Sequence, residues 1–360
     1  MTQDQIISFR AKLLDWFEKH QRQLPWRATK NPYNIWVAEV MLQQTQVKKV
    51  LDYYHRFLSE FPTIIALAQA SVQQVLKAWE GLGYYARARH LHQAAQIIAE
   101  NYDGKMPTTF KEFSALPGAG NYITAAVLSQ AFDAPYAVVD GNVKRVLSRL
   151  LLIDQPVNGS GSARMFLEQM DELLDHDHPG AFNQAMMELG AVVCRPNHPR
   201  CSQCPVASFC LAFRTGAQNS YPKSIRRRET PTYHIAVGVI HHDGHVLITR
   251  RPFDGLLGGL WEFPGGRLKP GESPEHACIR TIKEKTDLEV QINQFITRVH
   301  HAYSHFKIIM DVFDCQMRSG TISLAGAAEY RWIDLSELKN FPFHAAVHKF
   351  LPLLKAASDD

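Results

Sequence analysis

The spacing of apolar residues changes once along the chain, near residue 220, and this change limits the folds open to it. From residue 6 to about 213 the spacing is helical in segments such as SVQQVLKAWEGL, RHLHQAAQIIAENY and GNVKRVLSRLLLI. After residue 220 the pattern is typical of strands in YHIAVGVI, HVLITRR and FKIIMDVFDCQM, and of a hairpin turn in HHDG. Two further segments favour helices: SPEHACIRTIKEK and FHAAVHKFLPLL. We predict an all-α region over residues 1–220, a basic linker over 221–230 and an α+β domain over 231–357.

The composition is that of a folded protein with more than one domain. The chain has 360 residues, of which 46% are hydrophobic and 21% charged, which excludes disordered, collagen-like and coiled-coil classes. No stretch approaches the roughly 18 apolar residues that span a bilayer, and charges interrupt the N-terminus where a secretory signal would be apolar. We expect a soluble, monomeric cytoplasmic protein without a membrane partner.

The net charge of +4 is concentrated in one segment. Residues 1–220 carry 21 basic and 19 acidic side chains, residues 221–228 carry four basic ones, and residues 229–360 carry 14 and 16. The segment YPKSIRRR therefore has a charge equal to that of the whole chain. This distribution permits a nucleic-acid partner but does not by itself indicate one.

Four cysteines within seventeen residues form the most specific local pattern. Cys194, Cys201, Cys204 and Cys210 have the spacing C-x6-C-x2-C-x5-C, and the other two cysteines of the chain lie far away. A disulfide framework is typical of short secreted chains, which this is not. Zinc sites usually use two spaced pairs, whereas an iron–sulfur cluster tolerates single ligands at intermediate distances. The spacing therefore favours a [4Fe–4S] cluster and leaves zinc as the alternative.

A glycine-rich turn and two carboxylates lie in helical surroundings. LPGAG (116–120) separates TFKEFSA from NYITAAVLSQAF, so backbone N–H groups and the next helix N-terminus can face a phosphate. Asp140 opens a helix in VVDGN, and Glu39 lies in the apolar run WVAEVML. Taken singly, each has a simpler explanation: an ordinary turn, a helix N-cap, and a glutamate on the polar face of a helix.

Together these motifs resemble those of the helix-hairpin-helix DNA glycosylase superfamily, in its endonuclease III and MutY branch. LPGAG is followed by VVDGN and, some fifty residues later, by the four cysteines. WVAEVMLQQTQV (36–47) and GLGYYARARHLH (81–92) are more similar to the adenine-specific MutY family than to its relatives. The resemblance covers residues 5–215. It implies an all-α helix-hairpin-helix domain, a [4Fe–4S] cofactor on the four cysteines, and removal of adenine from duplex DNA.

Four residues match the catalytic positions of the family. Glu39 would be the general acid, because apolar surroundings raise the pKa of a carboxyl and keep a proton available for adenine N7. Asp140 would remain ionised and stabilise the sugar cation, and Asn142 would orient the water or hold a catalytic side chain. Tyr122 stands where bifunctional relatives carry a lysine, and a phenol cannot form their Schiff base. We therefore expect a monofunctional enzyme, with Lys144 as a solvated or phosphate-contacting residue.

Other matching positions imply contacts with DNA. Gly118 and Gly120 belong to the turn that faces a phosphate, and Arg27 matches an arginine near the adenine pocket. The positions that press into the duplex beside the lesion are Gln44, Thr45, Leu82 and Tyr84. These four side chains would replace part of the stacking that is lost when adenine flips out, although each also fits a place in the protein core.

The second domain begins like a Nudix box and then departs from it. Gly266-x5-Glu272-x7-Arg280 fits the pattern of nucleotide pyrophosphatases. Thr281 and Lys285, however, replace two acidic positions that would serve Mg2+. We expect a Nudix-like fold that has lost nucleotide hydrolysis.

A short loop of this domain resembles the lesion reader of the MutY family. There a Phe-Ser-His loop approaches 8-oxoguanine, and Tyr303, Ser304 and His305 are the corresponding residues here. The ring of Tyr303 preserves a stacking or packing surface, but its hydroxyl needs a hydrogen-bond partner. Ser304 can donate and accept, which suits it to distinguish the lesion from guanine.

The resemblance implies a base excision repair enzyme that hydrolyses the N-glycosidic bond of adenine opposite 8-oxoguanine or guanine. Such an enzyme would be associated with the nucleoid, and we expect the linker to contact phosphate through Lys223, Arg226, Arg227 and Arg228. Three alternatives stay open from the sequence: an endonuclease III-like pyrimidine glycosylase and lyase, a nucleotide pyrophosphatase that uses the second domain, and a non-catalytic Fe–S regulator that binds DNA.

Overall fold

The computed structural model describes residues 1–226 and 229–356, and the chain divides into two compact units. The first unit contains Met1–Ala68 and Gln93–Arg227, and the second contains Gln69–His92 and Arg228–Asp360. The second unit is thus built from two separate stretches of chain. Residues 69–92, which the sequence pattern groups with the N-terminal helices, pack with the β-rich part of the chain instead.

The chain is helical up to residue 214, as its apolar spacing predicts. The α-helices of this part are α1 Gln3–His20, α2 Pro32–Leu42, α3 Val47–Glu60, α4 Ile64–Gln69, α5 Val72–Ala78, α6 Ala86–Asn101, α7 Phe110–Ser114, α8 Asn121–Phe132, α9 Gly141–Leu151, α10 Ser162–Leu173, α11 Pro179–Glu188 and α12 Leu211–Arg214. Single turns of 3-10 helix lie at Pro25–Arg27, Cys201–Gln203 and Ala207–Phe209, and a π-helix at Leu189–Val193. Helices α5, α6 and α9 confirm the three segments that the spacing singled out.

Helix caps fix where the helices of the candidate site begin. Asn31 accepts hydrogen bonds from two backbone N–H groups at the start of α2, and Pro32 occupies the first helical position. Asp140 caps α9 by accepting from the N–H of Val143. Gly120 is the N-cap residue of α8 and has no side chain, so the first N–H groups of this helix receive no hydrogen bond from a capping side chain.

The core of the first unit is formed by helices that are distant in sequence. Phe9, Leu13, Leu147, Phe166 and Phe182 belong to one buried cluster that joins α1, α9, α10 and α11. Helix α2 packs along α8, and both are apolar around most of their circumference, as expected for helices buried on several sides. Polar side chains on these two helices therefore lie inside the protein.

The second unit contains a seven-stranded mixed sheet. Its strands are β1 Thr232–His242, β2 His245–Arg250, β3 Trp261–Glu262, β4 Gly265–Arg267, β5 Glu289–Ala302, β6 Lys307–Ser319 and β7 Glu329–Ile333. The main order is β3-β2-β1-β6-β5, with β4 paired to β1 and β7 to β2. Strands β1 and β6 run parallel and the other pairs antiparallel. The predicted strands β1, β2 and β6 are confirmed, and so is the hairpin, in which Asp243 and Gly244 have positive φ.

Helix α13 Pro274–Thr286 covers one face of this sheet with Cys278 and Ile282, and the other face packs on Phe343 and Phe350. The helix predicted from FHAAVHKFLPLL starts later than expected: a 3-10 turn lies at Val347–Lys349, and α14 spans Leu351–Ala356. The reason is tertiary, because Phe343 forms a β-bridge with Trp261. No helix within the described ranges is long and apolar enough to cross a membrane.

Side chains of residues 69–92 anchor this stretch to the β-rich part of the second unit. The indole N–H of Trp261 donates to Oε1 of Gln73 at 3.0 Å, and the Gln73 amide donates to the carbonyl of Gly259 at 3.0 Å. Lys77 donates to the carbonyl of Phe341 at 3.1 Å. These bonds join side chains and backbone groups more than 180 residues apart in sequence.

Candidate active site and cysteine loop

Glu39 lies in the interior of the first unit, on α2. Glu39 is only 4% exposed to solvent. The Gln130 amide donates to Glu39 Oε1 at 2.7 Å, and the Tyr122 hydroxyl donates to Oε2 at 3.1 Å. Both partners come from α8, the helix that follows the glycine-rich turn. The surface position that an isolated helix would suggest for Glu39 is therefore excluded.

Burial raises the pKa of Glu39 above its ordinary value. The hydrogen bonds from Gln130 and Tyr122 oppose this shift because they favour the charged carboxylate. Asp140 raises the pKa further through its negative charge, and the positive charge of Arg27 lowers it. Glu39 therefore keeps its proton to a higher pH than an exposed glutamate does.

Asp140 is held at the N-terminus of α9 by two donors. Its Oδ1 accepts from the Val143 N–H at 2.7 Å, and its Oδ2 accepts from the Asn142 amide at 2.9 Å. Burial raises the pKa of Asp140, and these hydrogen bonds together with the charge of Arg145 counteract the effect. That Asp140 is ionised in the reaction stays a prediction.

Arg27 lies in an ion-pair cluster that the sequence reading missed. Its guanidinium donates to Oε2 of Glu188 at 2.8 Å, and Arg22 donates to the same carboxylate through two nitrogens, at 2.8 and 2.7 Å. The two arginines outweigh the effect of burial and lower the pKa of Glu188 to about 2. A signal existed in the sequence, since Glu188 is the single charge in the apolar run AMMELGAVV.

The glycine-rich turn has the geometry that its sequence predicts. It connects α7 to α8, Gly118 has φ of +74°, and Gly120 is the extended residue at the start of α8. Both glycines are exposed while Ala119 between them is buried. A residue other than glycine would be strained at position 118.

Gln44 is exposed between α2 and α3, and its backbone has a φ of +57°. Such a conformation is uncommon outside glycine and often marks a functional position. Thr45 is half-buried beside it. The structure thus presents Gln44 to solvent at a fixed point close in sequence to Glu39, and its contact with DNA stays a prediction.

A chain of hydrogen bonds leads from Asp140 to the cysteine loop. The Asn142 amide nitrogen donates to Asp140, and its oxygen accepts from Arg145 at 2.8 Å. Arg145 also donates to the carbonyls of Cys194 at 2.8 Å and of Gly190 at 2.7 Å. An added Cβ at Gly190 would lie 2.7 Å from the Cβ of Asn142, so only glycine fits there.

The four clustered cysteines line one cavity. Cys194 follows the π-helix, Cys201 begins a 3-10 turn, and Cys210 precedes α12. Within the described ranges, no three His, Cys, Asp or Glu side chains are grouped as they would be around a single metal ion. All four cysteines border the same cavity, so the thiols that the sequence pattern groups together are also close to one cavity in the fold.

Arg149 supplies positive charge beside these cysteines. Arg149 is only 2% exposed. Its guanidinium donates to Sγ of Cys194 at 3.3 Å and to the carbonyl of Arg195 at 2.7 Å. Burial raises the pKa of the Cys204 thiol to about 12, so free thiolates are unfavourable here. Four thiolates here would need compensating positive charge, and four cysteines beside a buried guanidinium are a donor set that fits an iron–sulfur cluster.

The second unit contains the other predicted contact residues. Leu82 is buried, which is the core placement that its sequence also allowed, so its insertion into a duplex stays a prediction. Tyr84 is half-buried with φ of +51°, and its hydroxyl is hydrogen-bonded to that of Ser304. Ser304 and His305 are exposed.

Tyr303 is half-buried and its hydroxyl has a partner. The hydroxyl is 3.1 Å from Nδ1 of the buried His344, and the ring stacks on Phe306 with centroids 4.7 Å apart. His301 packs edge-on against the same ring. The hydroxyl that distinguishes Tyr303 from phenylalanine is thus hydrogen-bonded inside the domain.

The two acidic residues that remain in the Nudix box are bound to Arg280. Glu272 accepts from Arg280 at 2.6 Å through both carboxylate oxygens, which lowers its pKa to about 2, and Glu284 accepts from the same guanidinium at 2.9 Å. Thr281 is buried and bonded to the carbonyl of Ala277. A guanidinium therefore occupies the place between the two acids.

Both regions of the chain match known families. Residues 37–167 match the HhH-GPD superfamily of base excision DNA repair proteins, and residues 235–353 match the NUDIX domain. A solved structure of a thermostable thymine-DNA glycosylase is similar with a TM-score of 0.52 and 26% identity, over 59% of this chain and 98% of that chain. An endonuclease III–DNA complex shares the fold, with a TM-score of 0.52 and 21% identity over 60% of this chain and 98% of that one. The predicted fold class is confirmed.

Similarity to curated proteins extends over nearly the whole chain. The adenine DNA glycosylase of Rattus norvegicus is 33% identical over 398 residues, which covers 96% of this chain and 77% of the rat protein. That of Homo sapiens is 31% identical over 401 residues, with coverage of 96% and 73%. That of Buchnera aphidicola subsp. Baizongia pistaciae (strain Bp) is 37% identical over 260 residues, with coverage of 72% and 74%. The chain therefore belongs to the adenine DNA glycosylase family, and its activity is that of a DNA glycosylase.

Proposed function

We propose that the chain is a monofunctional glycosylase that hydrolyses the N-glycosidic bond of adenine opposite 8-oxoguanine or guanine in duplex DNA, as part of base excision repair. The observation that carries the proposal is the buried carboxyl of Glu39, whose two oxygens are bound by Gln130 and Tyr122. A carboxyl with a raised pKa can deliver a proton near neutral pH.

Loss of adenine requires a proton on the departing base and stabilisation of an oxocarbenium-like sugar. Glu39 would give its proton to N7 of the flipped adenine, while ionised Asp140 would stabilise the positive sugar. The donors on Asp140 fix the carboxylate in one orientation at the start of α9. Asn142 would hold that orientation and place the water that attacks the sugar.

The enzyme has a phenol where a lyase needs an amine. The Tyr122 hydroxyl donates to Glu39, and burial raises the pKa of this phenol well above its usual range, so it stays protonated. Lys144 donates to the carbonyl of Val157 at 3.0 Å and lies over the ring of Phe166. We therefore propose an intact strand with an abasic site as the product.

A [4Fe–4S] cluster would be held by Cys194, Cys201, Cys204 and Cys210, in keeping with the endonuclease III-like fold of the first unit. The cluster would cross-link the loop around it and could exchange an electron. The protein's own contribution is the Arg149 guanidinium, which offsets thiolate charge, and the Arg145 contacts that tie the loop to Asn142.

DNA is the proposed partner of both units. The exposed glycines 118 and 120 and the uncapped start of α8 would contact phosphate, and Gln44 with Thr45 would press into the duplex. In the second unit, Tyr84 and the paired Ser304 would meet the base opposite adenine. Recognition of 8-oxoguanine by Tyr303, Ser304 and His305 rests on their resemblance to the Phe-Ser-His loop.

Single-turnover release of adenine from duplexes with adenine opposite 8-oxoguanine, guanine or thymine tests this function. We expect release from the first two duplexes and an intact strand until alkali is added. Glu39→Gln should reduce the rate at least a thousandfold, since it removes the acid proton, whereas Glu18→Gln on the exposed face of α1 should not change it.

Three results would contradict the proposal. Wild-type release by Glu39→Gln would remove Glu39 from the mechanism. Efficient borohydride trapping of an enzyme–DNA adduct would indicate a lyase, and turnover of nucleoside triphosphates that disappears in Glu272→Gln would indicate an active Nudix site.

A further inference from the structure

We propose that Gln130 is a positioning residue of the glycosylase reaction: its amide holds Oε1 of Glu39 as an acceptor and thereby assigns the acid proton to Oε2. The inference deepens the proposed function and rests on the role of Glu39 as the general acid. It concerns how a buried carboxyl with two different neighbours chooses the oxygen that carries its proton.

Gln130 differs from the other buried polar residues of α8 because it bonds a carboxyl. The hydroxyls of Thr124 and Ser129 donate to the carbonyls of Ala119 and Ala126, and that of Ser129 also accepts from the Asn183 amide at 3.0 Å. Gln130 is just as buried, at 4% exposure, but its side chain crosses to α2 and reaches the carboxyl of Glu39 at 2.7 Å. A buried amide in an apolar helix is unfavourable unless it is bonded, so this contact fixes both side chains.

The chemistry of the two neighbours makes the oxygens of Glu39 unequal. An amide nitrogen is a donor only, so Oε1 must offer a lone pair to Gln130 and cannot carry the proton in this geometry. A phenolic hydroxyl donates or accepts by rotating, so the Tyr122 oxygen, 3.1 Å from Oε2, is compatible with either state of that oxygen. Protonation at Oε2 therefore keeps every hydrogen bond, whereas protonation at Oε1 breaks the shorter one.

The amide bond also affects when Glu39 loses its proton. Donation by Gln130 favours the charged carboxylate and lowers the pKa that burial raises. The groups of neighbouring elements that act on the same carboxyl are Tyr122 on α8, Asp140 at the start of α9, and Arg27 in the 3-10 turn, which is itself paired with Glu188. Lys30 bonds the backbone carbonyl of Gln130 and pairs with Asp133.

The test is the pH dependence of single-turnover adenine release by the full-length protein. The general acid works while protonated, so the rate falls as pH rises through the pKa of Glu39. Three variants are compared with the wild type: Gln130→Met, which removes the donor at similar size; Gln130→Glu, which keeps the shape; and Ser129→Ala, the matched control on the same helix.

Gln130→Met should move the upper limb of the profile to higher pH by about one unit, since the carboxylate loses a donor. The plateau rate should fall about tenfold because the acid proton is no longer assigned to one oxygen. Gln130→Glu should move the limb further in the same direction, as two adjacent carboxyls share a proton. Ser129→Ala loses two buried hydrogen bonds, with the Ala126 carbonyl and the Asn183 amide, yet should keep the wild-type limb.

If Gln130→Met does not fold, as judged by circular dichroism and thermal unfolding, the isosteric Gln130→Glu decides the question. An unchanged limb and plateau in the folded variants, with Glu39→Gln still inactive, would overturn the role of Gln130 and leave the proposed function intact. An active Glu39→Gln would instead remove the proposed function itself.

Discussion

At the scale of single residues, side chains of the candidate site are held by partners that are distant in sequence. Glu39 and Arg27 match positions of the family motifs, but their partners do not: Gln130 lies 91 residues from the Glu39 it binds, and Glu188 lies 161 residues from Arg27. A hydrogen bond between helices depends on the packing of their axes, which no local pattern encodes. The partner of the Tyr303 hydroxyl, His344, could not be predicted for the same reason.

The buried histidine of this pair makes a prediction about acid stability. Burial, with help from the charge of Arg251, lowers the pKa of His344 to about 3 in the folded state. An unfolded histidine binds its proton near pH 6.5. Between about pH 6.5 and 3 the unfolded chain therefore binds more protons than the folded one, and the free energy of unfolding decreases as the pH is lowered. The melting temperature of the second unit should therefore drop as the pH is lowered from 7 to 5.

His344→Gln should make this pH dependence less steep, because the variant has no proton to take up on unfolding. Tyr303→Phe is the matched control: it removes the same hydrogen bond but keeps the histidine, so the steep dependence should remain. Scanning calorimetry at several pH values measures both. Equal slopes in the wild type and in His344→Gln would show that other histidines with lowered pKa values, such as His301, dominate.

At the scale of elements, long amphipathic segments are predictable and short or bulged ones are not. Helices α5, α6, α9 and α13 appear where their spacing predicts them. Strand β5 escaped prediction because three register shifts interrupt its alternation, and β3, with two residues, is too short for any pattern. The cysteine loop is intermediate: its spacing indicates a metal site, but the buried Arg149 that supports it is visible only in the fold.

Removal of one cysteine should distinguish the loop from the other thiols. Cys204→Ser should lower the iron and sulfide content and the visible absorption of the purified protein, and reduce its melting temperature, because the loop loses a cross-link. Cys315→Ser, at a buried thiol of the second unit, should leave iron content unchanged. Zinc without iron in the wild-type protein would show that the cysteines hold a different metal.

At the scale of the whole molecule, the charge is unevenly distributed. Lys223 and Arg226 are exposed, and Lys223 lies over the ring of Tyr221, whereas Arg227 and Arg228 are outside the described residues. The sequence predicts this basic segment directly, since charge is read without knowledge of the fold. Its contact with phosphate stays a prediction.

Replacement of Lys223, Arg226, Arg227 and Arg228 by alanine should weaken DNA binding and flatten its dependence on salt. Each lost phosphate contact lowers the slope of log affinity against log salt by about 0.9. A variant in which Lys269, Lys283, Lys307 and Lys339 are replaced has the same change in net charge. An equal change of slope in this control would show that total charge, rather than the segment, sets the affinity.

The second unit is built from two separate stretches of chain, and this sets the order in which its parts are synthesised and can pack together. Residues 69–92 leave the ribosome early, but the strands with which they form a compact unit are made after residue 228. More than a hundred further residues must be made before Leu76 can pack beside Gly259 and Gln73 can bond Trp261. Nascent chains that stop before β6 should therefore be sensitive to proteases near residue 80 and bind chaperones there.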